Sequence, residues 1–173
     1  MEYSEVAELV RKAKLGDQES FQTLYSEHYR PLYKMALTMV HSVEDTEDLV
    51  QESFVIAYRK LHTLRENQLF RAWITKILVN QAYKLLKFRA LCAPYSKIDL
   101  DQLAVWKDDL ETSEIELLHT IKTLGQKDQL IIKLRYFAGL SIKEIAVQLN
   151  CSENTAKSKL YRALDRLRKE CGE

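Results

Sequence analysis

Glycine and proline are scarce in this chain, which has four of the first and two of the second among its 173 residues. These residues form most tight turns, so a chain with so few of them is poorly suited to a turn-rich sandwich or barrel. Apolar residues recur instead at about the 3.6-residue spacing of a helical turn, as in the stretch from Phe21 to Met39. The sequence therefore predicts an all-α fold.

Polar residues that favour helix ends mark the expected boundaries. Ser4 is predicted to cap a first helix, and Asp17 to cap a long second one. Pro31 falls inside the apolar pattern of the second helix and is expected to kink it or split it. Two further helices are predicted, one starting in the acidic cluster 44–48 and one covering about residues 68–90.

The net charge of +1 conceals an uneven distribution of charge along the chain. Residues 71–91 hold five basic and no acidic side chains, whereas residues 92–118 hold two basic and seven acidic ones. Residues 119–173 are basic again, with eleven basic and six acidic side chains. Two basic blocks separated by an acidic stretch indicate two surfaces that face a polyanion.

The acidic stretch also loses the helical rhythm of apolar residues after Pro94, which is typical of a linker. We therefore expect two small helical domains, one over residues 1–91 and one over residues 113–173. An acidic linker over residues 92–112 joins them.

Several classes of function are disfavoured by what the sequence lacks. There is no Gly-rich phosphate loop and no Ser/His/Asp or Cys/His arrangement, so we predict no catalytic residue. The three cysteines and four histidines lack metal-ligand spacing, so we predict no metal site and no cofactor. No apolar run approaches the roughly 18 residues that cross a bilayer, and the N-terminus has no secretory apolar core. A cytoplasmic protein without direct membrane insertion is expected.

The C-terminal domain contains a helix-turn-helix pattern. Ser141 and Glu144 have the spacing of a capping box, Asn150 tolerates the backbone of a tight turn, and Ser152 can cap the last helix. Small Ala146 allows the two helices to cross closely. The last helix is basic, and its N-terminal half is expected to enter the major groove of DNA. The alternative is a basic amphipathic helix in an ordinary bundle.

Two motifs, one on each side of the linker, resemble those of a known family. EDLVQESF occupies residues 47–54 and NTAKSKL occupies residues 154–160. Their order, with a short acidic linker and no third domain between them, is similar to that of the extracytoplasmic-function (group IV) sigma factors of the sigma-70 family. The resemblance covers nearly the whole chain. It implies that residues 1–91 are sigma region 2 and residues 113–173 are sigma region 4.

The resemblance implies a docking site for core RNA polymerase on the acidic helix. In the family this helix binds the clamp coiled coil of the largest polymerase subunit. Carboxylates beside apolar side chains are a suitable partner surface for a basic coiled coil. The residues implied are Asp48, Leu49, Gln51 and Glu52.

Recognition of the promoter −10 element is implied for the loop around residues 65–69 and the basic helix that follows it. A flipped base needs a polar pocket for its edge and a cationic track for the backbone. Asn80 matches the pocket-forming asparagine of the family, whereas Trp73 matches a buried tryptophan and is expected in the core. The −10 residues implied are Arg71, Lys76, Asn80 and Lys84.

Recognition of the −35 element is implied for the last helix. Lys157 and Tyr161 lie one helical turn apart, as do Ser158 and Arg162. Lys159, Arg166 and Arg168 lie further round or along the helix and are expected to contact mostly phosphates. The −35 residues implied are Lys157, Ser158, Lys159, Tyr161 and Arg162.

The family's function implies the partners of this chain. These are core RNA polymerase, promoter DNA and an anti-sigma factor, and the chain directs promoter-specific initiation without catalysing it. The alternative is a stand-alone helix-turn-helix transcriptional regulator. Such a regulator explains neither the acidic docking helix nor the second basic block, and it is expected to dimerise.

Overall fold

The computed structural model describes residues 3–92 and 112–170. The chain divides into two compact units, Met1–Cys92 and Ala93–Glu173. Helices are the only regular secondary structure among the described residues, which confirms the predicted all-α fold with two helical domains. Apart from its first and last residues, the predicted linker lies outside the described residues. None of the described helices is long and apolar enough to cross a bilayer.

The N-terminal unit is built from four α-helices. Two single 3-10 turns, Leu61–Thr63 and Asn67–Leu69, lie between the third and the fourth. The helices are α1 (Tyr3–Lys14), α2 (Gln18–Val40), α3 (Val43–Lys60) and α4 (Phe70–Cys92).

Local capping accounts for the boundary between α1 and α2. Gly16 adopts φ +96°, a left-handed conformation that ends the first helix. Asp17 then caps α2 as predicted, because its side chain accepts a hydrogen bond from the Glu19 backbone N–H at 3.2 Å. The prediction for Ser4 is wrong, since α1 already begins at Tyr3 and Ser4 lies inside its first turn.

Pro31 lies inside one continuous helix and does not split it. Proline removes one backbone hydrogen bond and costs a helix interior about 3 kcal/mol. The residues that follow it are among the most buried of the unit, with Leu32 2% exposed and Met35 and Ala36 fully buried. Burial of this apolar face against α3 and α4 offsets the loss at Pro31.

The C-terminal unit consists of α5 (Thr112–Ile121), α6 (Gln126–Tyr136), α7 (Ile142–Gln148) and α8 (Glu153–Glu170). The predicted capping box is present at the start of α7. The Ser141 backbone N–H donates to Glu144 Oε2 at 2.9 Å, and the Glu144 backbone N–H donates to Ser141 Oγ at 3.2 Å.

A tight turn joins α7 to α8 and completes the helix-turn-helix. Asn150 adopts φ +50°, and the Thr155 backbone N–H donates to Ser152 Oγ at 3.2 Å, so both predicted turn residues are confirmed. Small side chains line the crossing of the two helices, since Ala146 is 4% exposed and Ala156 is fully buried. With one face of α8 packed closely on α7, its opposite face is left exposed to solvent.

Candidate functional site

The acidic surface of α3 is formed by Asp48, Gln51 and Glu52, whose side chains are all exposed. Residues three and four apart on a helix share a face, so the three lie together. Leu49 contributes little to this surface, because it is only 5% exposed. Most of its side chain packs in the domain core.

Between α3 and α4 lies an acidic groove of about 420 Å³. Exposed aromatic surface adjoins it, since Phe88 is 65% exposed. The sequence analysis did not name Phe88, although it lies 18 residues, or five helical turns, after Phe70 and therefore on the same face of α4. The groove is lined by Asp45, Asp48, Leu49 and Glu52 from α3 and by Gln81, Lys84, Leu85 and Phe88 from α4.

A second groove, the basic groove, has a volume of about 440 Å³ and also lies between α3 and α4. Asn80 is exposed on one wall, with Lys76 and Lys84 one helical turn to either side of it. The opposite wall is the end of α3. The lining residues are Ile56, Arg59, Lys60, Thr63, Trp73, Lys76, Ile77, Asn80, Gln81 and Lys84.

The basic groove brings together three of the four predicted −10 residues. Arg71 is not among its lining residues and is half-buried. Arg59 and Lys60 were missed by the sequence analysis, because basic residues in the last turn of a helix are favoured by the helix dipole alone. Four cationic side chains around one amide side chain suit a nucleotide with its flanking phosphates.

The expectation that Trp73 lies in the core is wrong. Its side chain is half-buried and lines the basic groove, with its ring centroid 6.1 Å from that of Phe70 at an angle of 44°. Phe70 itself is fully buried. Trp73 thus stands at the edge of the apolar stripe, with one part on the core and another part accessible from the groove.

The segment that joins α3 to α4, residues 61–69, borders the basic groove through Thr63. We call this segment the α3–α4 loop. Leu61, Leu64 and Leu69 are at most 7% exposed and fix it to the domain. Asn67 is half-buried, and the exposed side chains of the loop are those of His62, Thr63, Arg65, Glu66 and Gln68.

In the C-terminal unit, all five predicted −35 residues are exposed on α8. Lys157 Nζ lies 6.0 Å from the ring centroid of Tyr161, which is 61% exposed. Arg162 Nε donates to the Ser158 backbone carbonyl at 3.2 Å. Both pairs expected from helical spacing, Lys157 with Tyr161 and Ser158 with Arg162, are therefore in contact.

Arg166 was expected to contact mostly phosphates, but in the structure its guanidinium pairs with a carboxylate of the same unit. Its Nη1 donates to Asp128 Oδ2 of α6, and the Asp128 side chain is 19% exposed. This ion pair fastens α8 to α6 within the C-terminal unit. The Arg166 side chain is still 58% exposed, and Lys159 and Arg168 are exposed as well, so a phosphate contact stays a prediction for all three.

Metal chemistry has no visible basis in the part of the chain that the structure describes. Within residues 3–92 and 112–170, no group of three or more His, Cys, Asp or Glu side chains is placed to hold a metal ion.

Known proteins share this two-unit architecture and this order of motifs. Residues 24–90 match the family model described as Sigma-70 region 2, and residues 114–167 match the one described as Sigma-70, region 4. The RNA polymerase sigma-H factor of Pseudomonas aeruginosa is 26% identical, over 94% of this chain and 91% of the relative. The ECF RNA polymerase sigma-E factor of Salmonella typhimurium is 30% identical, over 90% of this chain and 88% of the relative.

Two solved structures have the same fold. CnrH in complex with the cytosolic domain of CnrY has a TM-score of 0.74 at 24% identity, over 95% of this chain and 96% of that one. The sigma factor RpoE in complex with the anti-sigma factor NepR, from Bartonella quintana, has a TM-score of 0.66 at 20% identity. That match covers 89% of this chain and 98% of the solved one. Sequence, family models and fold agree, and the chain belongs to the extracytoplasmic-function sigma factors of the sigma-70 family.

Proposed function

We propose that this chain binds core RNA polymerase and directs it to promoters by recognising their −10 and −35 elements. The observation that carries the proposal is the basic groove, where Asn80 lies among four cations in the unit that matches region 2. A stand-alone helix-turn-helix regulator has no use for this groove, since such a protein reads duplex DNA only. The region 2 match therefore disfavours that alternative.

Polymerase docking is assigned to Asp48, Gln51 and Glu52, with Phe88 as an apolar neighbour. The three polar side chains are exposed on one face of α3. Charge complementarity with a basic coiled coil raises the association rate and selects the partner, while an exposed aromatic ring supplies contact area. Leu49 supports this face from the core.

Recognition of the −10 element is assigned to the basic groove and the α3–α4 loop. A base extruded from the non-template strand can place its edge against the Asn80 amide. Lys76, Lys84 and, from α3, Arg59 and Lys60 can neutralise the phosphates on either side. Trp73 offers part of its indole ring as an apolar surface within the same groove.

Recognition of the −35 element is assigned to the outer face of α8. Lys157, Tyr161 and Arg162 lie in its N-terminal half, where a recognition helix contacts base edges. Ser158 fixes the Arg162 guanidinium through its backbone carbonyl. Lys159 and Arg168 lie beside this face and are assigned to phosphates.

An anti-sigma factor is proposed as the regulatory partner, and the cytoplasm as the location. One solved structure of this fold is a sigma factor in complex with an anti-sigma factor. No chemistry is assigned to the chain itself, because polymerase supplies catalysis and the chain supplies promoter selection.

Runoff transcription with purified core polymerase on a genomic DNA library tests the proposed function. The full chain is expected to produce defined transcripts whose start sites share two upstream elements. Core polymerase alone is the control. Comigration of the chain with core polymerase on gel filtration, without any promoter-specific transcript, contradicts the promoter assignment but not the docking assignment.

A further inference from the structure

The α3–α4 loop is anchored to the domain at both ends and in its middle. Its three leucines anchor it from below, and the 3-10 turns Leu61–Thr63 and Asn67–Leu69 close its two ends. Arg65 and Glu66 lie between these turns and are exposed. The direction in which they project depends on how far apart the two turns are held.

One side chain joins the two turns from outside the loop. Lys14 Nζ, from the last turn of α1, donates to the Leu64 backbone carbonyl at 2.6 Å and to Asn67 Oδ1 at 2.6 Å. Leu64 directly follows the first 3-10 turn and Asn67 begins the second. A single ammonium group therefore bridges both ends of the exposed segment.

A second contact extends this link along α1. Asn67 Nδ2 donates to the Ala7 backbone carbonyl at 3.4 Å, so the Asn67 amide contacts α1 through both its oxygen and its nitrogen. Hydrogen bonds from a charged donor are stronger than those between neutral groups, and those of Lys14 are partly shielded from water. Helix α1 precedes residues 24–90, the part of the chain that the region 2 family model matches.

We infer that Lys14 is a positioning residue for −10 recognition, acting through the spacing of the two turns of the α3–α4 loop. The inference rests on the proposed function. Lys14 bonds to the inner side of the loop, so it sets the geometry of Arg65 and Glu66 without a DNA contact of its own. Its loss is expected to reduce discrimination between −10 sequences more than it reduces polymerase binding.

The test compares Lys14→Met with Lys12→Met in the full chain bound to core polymerase. Methionine keeps the apolar stem and removes the ammonium donor. Lys12 is exposed on the same helix, so its replacement controls for the loss of one positive charge. The probes are a promoter DNA selected from a randomised pool by the unmodified holoenzyme and the same DNA with each single-base change in the −10 element.

For Lys14→Met we expect the ratio of open-complex formation between the selected and the changed DNAs to fall about fivefold, which corresponds to the net contribution of one typical hydrogen bond. Affinity for core polymerase stays the same, and Lys12→Met keeps the full ratio. Lys14→Arg is expected to restore most of the ratio, because a guanidinium also presents several N–H donors.

Two results overturn the inference. One is an unchanged ratio in Lys14→Met, and the other is an equal loss of transcription on all −10 variants, which indicates a merely structural role. If Lys14→Met does not fold, Asn67→Ala decides in the same way. It removes the Oδ1 acceptor of Lys14 and the Nδ2 donor to Ala7, and it leaves the bond from Lys14 to Leu64 intact. An unmodified chain that shows no −10 discrimination at all contradicts the proposed function instead.

Discussion

Asn80 is the single side chain on which the proposed strand opening depends most. Asn80→Ala removes a hydrogen-bond donor and acceptor from the basic groove but keeps its four cations. We expect open-complex formation to fall about tenfold, the effect of unpairing a base edge inside a pocket, while −35 duplex binding is unchanged. Permanganate reactivity of promoter thymines measures this step. Gln22→Ala, an exposed change on α2, is the control, and reactivity equal to that of the parent contradicts the assignment.

Lys133 makes the stability of the C-terminal unit vary with pH in the alkaline range. Burial, with a smaller contribution from the Lys122 charge, lowers the pKa of the Lys133 ammonium from 10.5 to about 8. Between these values the unfolded chain binds more protons than the folded one, so the free energy of unfolding rises with pH.

Replacing Lys133 by methionine removes this half-buried charge. We expect Lys133→Met to stabilise the C-terminal unit by about 1–2 kcal/mol at pH 7 and to reduce the rise in stability between about pH 8 and 10.5. Urea unfolding of the full chain over this pH range measures both effects. Lys143→Met, at an exposed lysine, is expected to follow the parent. Parallel pH curves for Lys133→Met and the parent count against the explanation.

Individual side chains were the least predictable part of the site. Periodicity identifies the centre of an apolar stripe but does not resolve its edge, which is why Trp73 was expected in the core. Leu49 matched a docking motif, yet its position on the helix places it inside. Arg166 pairs with Asp128, which lies 38 residues away in the sequence, and no local pattern indicates such a partner.

At the scale of the element, local signals were sufficient wherever capping decides a boundary. The caps at Asp17, Ser141 and Ser152 depend on groups two or three residues apart, which the sequence displays directly. Pro31 behaved differently, because burial of the helix around it involves α3 and α4, and the sequence of α2 alone does not contain that information.

Helix α8 separates two kinds of DNA contact along its length. Arg162 is held by the Ser158 carbonyl within the N-terminal half, whereas Arg168 is exposed near the C-terminal end. We expect Arg162→Ala to cost about 1–3 kcal/mol and to relax base preference at one position. Arg168→Ala should weaken all sequences evenly and lower the salt slope by about one.

Binding of −35 duplex variants at two salt concentrations distinguishes these outcomes. A third variant, Arg166→Ala, removes the ion pair with Asp128 and is therefore also expected to lower the stability of the C-terminal unit. If Arg162→Ala and Arg168→Ala weaken every sequence equally, Arg162 is a phosphate contact and not a base reader.

At the scale of the whole molecule, the distribution of charge along the sequence indicated two nucleic-acid surfaces and the boundary between two units. The basic groove shows the limit of that reasoning. Half of its cations come from the basic block 71–91, but Arg59 and Lys60 come from α3, in a segment that is acidic overall. Only the packing of α3 against α4 unites them, and packing depends on contacts distant in sequence.

Docking on polymerase brings both units into one complex, and we have proposed that it depends on the acidic face of α3. Replacing Asp48 and Glu52 together by lysine reverses that face, and both side chains are exposed, so helical content should be unchanged. We expect the affinity for core polymerase to fall by about 100-fold or more, since like charges then oppose a basic partner.

The matched control is the double variant Glu19→Lys with Glu27→Lys. It changes the net charge of the chain by the same amount at exposed positions of α2, outside the proposed docking face. It should retain core binding in a pull-down, and both double variants should retain binding to −35 duplex DNA. An equal loss of core affinity in the two double variants would show that overall charge, and not the surface formed by Asp48, Gln51 and Glu52, governs the association. Parent-like affinity in both would contradict the docking assignment. If docking is local to α3, only the variant with Asp48 and Glu52 replaced loses core binding, and its binding to duplex DNA is unchanged.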